Sequence, residues 1–276
     1  MPTPLFDLTG KVGVVSGAAQ GMGQATAIAL ANHGADVVLV DRNLAGAETT
    51  AEAVREADRR AIVADTNVSD PEQINDLFRR VDTEMGRVDF LGNIAGDGLL
   101  AAPEELTIEE LQSVLQNLVV GRFAMCQAAG KRMLAQNSGS IMNIGSLASI
   151  TALGRGHIAY STAMAAVTGM TRELSTEWSG RGVRVNCVMP AQVLNPSLAD
   201  RMKDDPTLEE RFVRGIPAGR MGVPEDIAGL SVFLASDSSQ WITGAMIPMD
   251  GGNLALNAGG SAGHLGHKIQ SYSRKQ

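Results

Sequence analysis

Short runs of β-branched and aliphatic residues recur along the chain: KVGVVSG from Lys11, ADVVLVD from Ala35, AIVAD from Ala61, RVDFLGN from Arg87, GSIMNIGS from Gly139, GVRVNCVMP from Gly182 and AMIPMD from Ala245. Each has the length and composition of a strand, so seven strands are predicted. Between them apolar positions recur at helical spacing over residues 22–32, 71–85, 107–136 and 158–178. Ser69 followed by Glu72 reads as a capping box at the start of the second of these. Strands alternating with helices of this length predict an α/β fold, a parallel sheet with helices on both faces. Ligands in such a sheet sit beyond the carboxyl ends of the strands, which directs attention to the residues after each run.

No internal repeat or linker divides the chain, so residues 1–252 read as one domain. Two stretches break the alternation. The charged excursion over 191–220 reads either as a substrate lid or as a solvated helical hairpin. The Gly- and Asn-rich tail over 253–276 reads as a flexible end or as an arm contacting a neighbouring subunit.

Composition narrows the partners. Hydrophobic residues make up 44% of the 276 positions and aromatics only 4%, so the core must be built from aliphatic side chains. The net charge of -7, with no long basic run, disfavours nucleic acid and anionic membranes and leaves small molecules as the expected ligands. Cys126 and Cys187 lie far apart in apolar segments with no C-x-x-C spacing, which predicts buried free thiols and no metal site. The opening MPTPLFDLTGK has no signal-peptide order and no apolar run reaches the roughly 18 residues of a membrane span. A cytoplasmic protein is expected.

The stretch SGAAQGMG, from Ser16 to Gly23, ends the first predicted strand and opens the first helix. Missing side chains at Gly17, Gly21 and Gly23 would let the backbone approach a pyrophosphate, and a helix N-terminus would supply N–H donors and a partial positive charge. Asp41 closes the second strand about 20 residues later, where a carboxylate can accept from ribose hydroxyls. Its repulsion of a 2′-phosphate favours NAD over NADP, with Arg42 beside it in partial compensation.

The spacing G-x-x-x-G-x-G, together with GNIAG at 92–96, NLVVG at 117–121, GSIMNIGS ending at Ser146, Tyr160 with the helix after it, and the segment over 219–252, resembles the short-chain dehydrogenase/reductase family. The resemblance covers residues 8–252 and implies a Rossmann-type doubly wound sheet, an NAD(P) site and a catalytic set of Asn, Ser, Tyr and Lys. Asn117 matches the asparagine whose helix is distorted to hold a water, Ser146 the serine that binds the substrate oxygen, and Tyr160 the acid/base. Met164 stands in the lysine's place. The implied cofactor residues are Gly17, Gln20, Gly21, Met22, Gly23, Asp41, Arg42, Asn67, Val68, Asn93, Ala95, Gly96, Tyr160, Pro190 and Val193. Milder departures are Ser16, Ile94, Gly145, Ala191 and Asn195, where the family commonly has Thr, Asn, Ser, Gly and Thr. The resemblance also implies a homotetramer packed through the helices that carry Asn117 and Tyr160.

Met164 alters the chemistry. A free phenol has a pKa of about 10, so near neutrality only roughly one in a thousand is ionised without a nearby cation. A thioether supplies none. Arg155 and His157, just before Tyr160, are candidate replacements or simply exposed loop residues, and Met164 reads equally as packing. The chain is therefore read as an NAD-dependent oxidoreductase interconverting a polar secondary alcohol, such as a sugar or hydroxy acid, and a ketone, with turnover impaired or altered by Met164. The alternatives are a silent dinucleotide-binding sensor and a non-redox lyase or isomerase.

Overall fold

All seven predicted runs form strands in the computed structural model, which describes residues 5–256 and Ala262. They are β1 (Val12–Ser16), β2 (Asp36–Val40), β3 (Ala61–Ala64), β4 (Phe90–Asn93), β5 (Gly139–Ile144), β6 (Val183–Pro190) and β7 (Met246–Met249). The helices between them are α1 (Gly21–Asn32), α2 (Leu44–Glu56), α3 (Pro71–Glu84), α4 (Ile108–Leu115), α5 (Arg122–Gln136), α6 (Ile158–Trp178), α7 (Pro196–Asp204), α8 (Leu208–Val213) and α9 (Ala228–Ala235). One seven-stranded sheet results, ordered β3-β2-β1-β4-β5-β6-β7, with every pair parallel.

Successive side chains of a strand point to opposite faces, so a sheet covered on both sides needs strands that are apolar throughout. Val14 and Val38 pack on one face with Ile74 and Phe78 of α3 and Met125 and Met133 of α5. Their neighbours Val15 and Leu39 pack on the other with Leu30 of α1 and Val232 and Leu234 of α9. The chain runs outward from β1 through β2 to β3, then returns to place β4 on the other side of β1. A crevice opens at that reversal, beyond the carboxyl ends of β1 and β4.

Two local expectations are corrected. The cap of α3 is Asp70, not Ser69: the Asp70 carboxylate accepts from the amides of Glu72 and Gln73, while the Ser69 hydroxyl accepts from Asn117 Nδ2 at 2.8 Å. Pro71 then sits in the first turn, where its missing N–H costs nothing. The single helix predicted over 107–136 is also interrupted. A π-helical turn, Gln116–Gly121, separates α4 from α5. There the helix presses on the loop after β3, since a Cβ at Gly121 would lie 2.0 Å from the carbonyl oxygen of Val68.

Residues 191–220 supply α7 and α8, a pair of short helices around an apolar cluster of Leu198, Leu208, Phe212, Ile216 and Met221. Most of the predicted tail lies outside the described residues. The base of the excursion is tied by a forked pair in which Arg220 donates to both Asp226 oxygens at 2.7 and 2.8 Å, and the Val223 amide adds a bond at 2.9 Å. The Arg220 bonds first, then the Val223 amide, hold the Asp226 carboxyl down at about 2. A depressed carboxyl contributes stability above its unfolded value, and the contribution disappears as pH falls through the folded value. Asp226→Asn should therefore melt slightly below the parent at pH 7, a small effect because the pair is solvent-screened. The two melting curves should converge between pH 4 and pH 2, as followed by circular dichroism.

Candidate active site

β1 delivers Ser16 to the edge of the crevice, and its hydroxyl oxygen accepts from the amides of Ile94 and Ala95 at 2.9 and 3.1 Å. This clamps the loop after β4 against the loop after β1. Gly17 and Gly21 adopt φ of 71° and 59°, values that strain any residue bearing a Cβ. Gly23 approaches the Gly17 carbonyl so closely that a Cβ there would lie 2.0 Å from its oxygen. α1 consequently begins at the crevice, and Gln20 provides no side-chain cap and its first turn no acidic residue. Its leading N–H groups are left for an anion.

At the end of β2 the Asp41 carboxylate accepts from the amides of Ala19 at 3.0 Å and Asn43 at 2.9 Å. One bond on each oxygen fixes the group while leaving lone pairs for hydroxyl donors. Arg42 is exposed beside it. Gly17, Gln20, Gly21, Met22, Gly23, Asp41, Arg42, Asn67, Val68, Ala95, Gly96 and Asn117 line one cleft of about 570 Å³. Backbone approach, free helix amides and a held carboxylate fit a dinucleotide: pyrophosphate over Gly21 and a ribose at Asp41.

Ser146, Tyr160 and Pro190 line an adjoining hollow of about 350 Å³, and Gly98, Asn195 and Ser197 border both spaces. β5 carries Ser146 just past its end, where the hydroxyl caps a short 3-10 turn by accepting from the Ala148 amide at 3.1 Å. Its proton stays free to be donated into the hollow. Tyr160 lies in the first turn of α6, its ring against Gly98, where a Cβ would meet Cδ2 at 2.8 Å. Asn117 occupies the π-helical turn; its Oδ1 accepts from the Asp97 amide at 3.0 Å, so the side chain ties two loops of the cleft together.

Three predicted residues are not brought to either lining. The Asn93 side chain is buried under the crevice and donates to the Arg122 carbonyl and to Asn143 Oδ1. Val193 is buried where the chain bridges to Gly222. Met164 is 1% exposed, in an apolar cluster with Leu118, Ala163, Cys187 and Met189. Arg155 lies over the Phe212 ring at 5.1 Å, and His157 Nδ1 donates to the Gly154 carbonyl, with its ring 6.2 Å from that of Tyr160.

One residue outside the sequence reading stands out: Arg122, the first residue of α5, is 3% exposed. Its Nη1 donates to the carbonyl of Ile144, and Nη2 lies 3.4 and 3.3 Å from the carbonyls of Ile94 and Ala95. Nε has no partner. The available signal was a lone charge in the otherwise apolar stretch LVVGRFAMC, which amphipathic reading assigns to a solvated face.

A separate hollow of about 620 Å³, lined by Lys11, Asp89, Arg184 and Trp241 among others, lies at the amino-terminal ends of the strands, remote from these groups. Among the described residues no helix is long and apolar enough to cross a membrane, and no cluster of three His, Cys, Asp or Glu could hold a metal.

Known proteins with this arrangement are numerous. A family model described as enoyl-(acyl carrier protein) reductase matches residues 17–253. D-threitol dehydrogenase of Mycolicibacterium smegmatis is 42% identical over 250 residues, covering 90% of this chain and 94% of that protein. Cyclohexanol dehydrogenase of a Rhodococcus species is 36% identical, covering 91% and 98%. The crystal structure of a short-chain type dehydrogenase/reductase from Mycobacterium marinum superposes with a TM-score of 0.82 at 30% identity, covering 90% of this chain and 97% of that one. With sequence, sheet order and crevice in agreement, the chain belongs to the short-chain dehydrogenase/reductase family of NAD(P)-dependent oxidoreductases.

Proposed function

We propose that the protein oxidises a polyol or similar polar secondary alcohol to the ketone with NAD, using Tyr160 as the proton carrier. The observation that carries this reading is the meeting of Ser146 and Tyr160 in one hollow that opens onto the Gly21 and Asp41 cleft. Bound NAD would accept the hydride that leaves the carbinol carbon. The chain's own groups then have three tasks. Ser146 donates its free hydroxyl proton to the substrate oxygen and so orients it. Tyr160 takes the hydroxyl proton as hydride departs, and returns it in the reverse direction. The α1 amides and Asp41 hold the dinucleotide, Asp41 favouring a ribose with both hydroxyls free.

The lining of the hollow supports a polar substrate. Gln192, Asn195, Ser197, His157, Arg201 and Asn253 alternate with Leu100, Leu153, Leu198 and Phe212. Gln192 Oε1 is buried without a hydrogen-bond donor. Such a wall suits a hydroxylated chain, as in the relative named for threitol, better than a cyclic hydrocarbon alcohol, because buried polar groups left unpaired by an apolar substrate would oppose its binding. Met164, packed away from both spaces, alters the surroundings of Tyr160 without removing the proton carrier. A tetramer assembled through the helical stretches that carry Asn117 and Tyr160 is part of the same proposal, and Val120, Phe123 and Ile158 are exposed apolar residues of those stretches.

Tyr160→Phe should lose about 10² or more in kcat on polyols, while calorimetry shows NAD affinity retained; full activity would remove Tyr160 from the reaction. Asp41→Ala should weaken NAD and strengthen NADP, moving the ratio of their kcat/KM values by about tenfold or more toward NADP; an unchanged ratio would refute the ribose contact. Multi-angle light scattering should return four times the chain mass.

A further inference from the structure

We infer that Arg122, reaching the crevice floor from α5, is the cation that stabilises the ionised form of Tyr160 and so takes over the electrostatic task that Met164 cannot perform. The inference rests on the reading of Tyr160 as proton carrier and begins with the cost of the group. A guanidinium is charged at every physiological pH, and burying one without an anion costs several kcal/mol in general. Arg122 is 3% exposed, and its three carbonyl partners, Ile94, Ala95 and Ile144, offer dipoles but no charge. No Asp or Glu is among the groups that act on it.

The acids facing it are Tyr160 from α6, Cys187 from β6 and Cys126 on its own helix. Burial pushes the Cys126 thiol up to about 12 and the Cys187 thiol up to about 11, so both stay protonated and neutral. Burial pulls the guanidinium down from its usual value, and of the neighbours that oppose that pull Tyr160 acts before the two thiols. A lone buried cation surrounded by neutral groups is relieved most by negative charge nearby, and the proposed reaction moves a proton on and off Tyr160.

The loop after β4 borders both of them. A Cβ at Gly96 would lie 3.5 Å from Arg122 Nη2 and 3.1 Å from Asn117 Oδ1, while a Cβ at Gly98 would touch the Tyr160 ring. Guanidinium and phenol ring therefore flank one three-residue segment whose span is at most roughly 7 Å. Cys187 is a common neighbour, since it faces Arg122 and packs in the cluster that contains Met164. Arg122 from α5 and the uncharged thioether on α6 thus share a neighbour on β6, beside which a second cation from α6 would meet a like charge. Arg155 and His157 do not compete: the first lies over Phe212 beside Arg201 and Arg211, and the second bonds the Gly154 carbonyl. Arg122 acts through Tyr160, as a positioning residue and not as a group on the substrate.

The test needs no turnover. The chain has two tyrosines, Tyr160 and Tyr272, so Tyr272→Phe labelled with ring-13C tyrosine reports the ionisation of Tyr160 alone by NMR. In that background Arg122→Gln, which keeps donors for the carbonyls, and Arg122→Met should move the Tyr160 titration to higher pH, and Arg122→Lys should keep it near the parent. Should the methionine variant fold poorly, the Gln and Lys pair still decides. In turnover with NAD and a polyol, the neutral variants should lose about 10²-fold in kcat/KM near neutrality and recover as pH rises, and adding Met164→Lys to Arg122→Met should restore activity at neutral pH. An unmoved Tyr160 titration in the neutral variants, or a loss equal at every pH, would overturn the role of Arg122. Absence of polyol turnover in the parent would instead defeat the dehydrogenase reading, leaving the titration to judge Arg122 separately.

Discussion

A single close approach governs the geometry of the crevice: the Gly17 carbonyl against the bare Cα of Gly23. With a side chain at that position the first turn of α1 could not fold back on the end of β1, and the helix would begin elsewhere. Because it does fold back, uncapped amides face the reversal point of the sheet, so a packing constraint leaves donors there that suit an anion. Ser16 extends the same constraint sideways by fastening the loop after β4. That loop carries Gly96, beside Arg122 Nη2 and Asn117 Oδ1, and Gly98, which lies against the Tyr160 ring and borders both hollows.

The sheet was legible because parallel strands covered on both faces must be apolar at every position, and seven such runs stand out against the polar stretches between them. α6 was legible to the residue for a related reason, as its apolar spacing continues unbroken from Ile158 to Trp178. Helix starts were less so. Ser69 and Asp70 are both good capping residues, and what decides between them is the engagement of the Ser69 hydroxyl by Asn117, a contact between residues 48 positions apart. The interruption of the α4 to α5 stretch likewise depends on Gly121 pressing against Val68, which no helical periodicity records.

The site divides along the same line. Gly17, Gly21 and Gly23 can be read from spacing because positive φ and close backbone approach demand glycine there, and Asp41 follows from its place at the end of β2. Asn93 is drawn from such a segment too, yet its side chain turns down to join Asn143 and the Arg122 carbonyl, since strand alternation sends it beneath the crevice. Arg122 was illegible for the opposite reason. A charged residue in a helix is taken to face water, and only the packed structure shows it 3% exposed beneath the loop after β4.

Buried charge also explains why a methionine can sit at position 164 without leaving the site incoherent. The desolvation cost of a guanidinium is large, so a cation buried beside Tyr160 would disfavour a second one in the apolar cluster behind it. Once α5 supplies it, an ammonium one turn beyond Tyr160 would meet a like charge inside a cluster of Leu118, Ala163, Cys187 and Met189. An unbranched, uncharged side chain of similar length fills that volume at little cost. On the proposal made for Arg122, the thioether and the guanidinium divide the surroundings of Tyr160 between them: α5 supplies the charge and α6 the apolar volume.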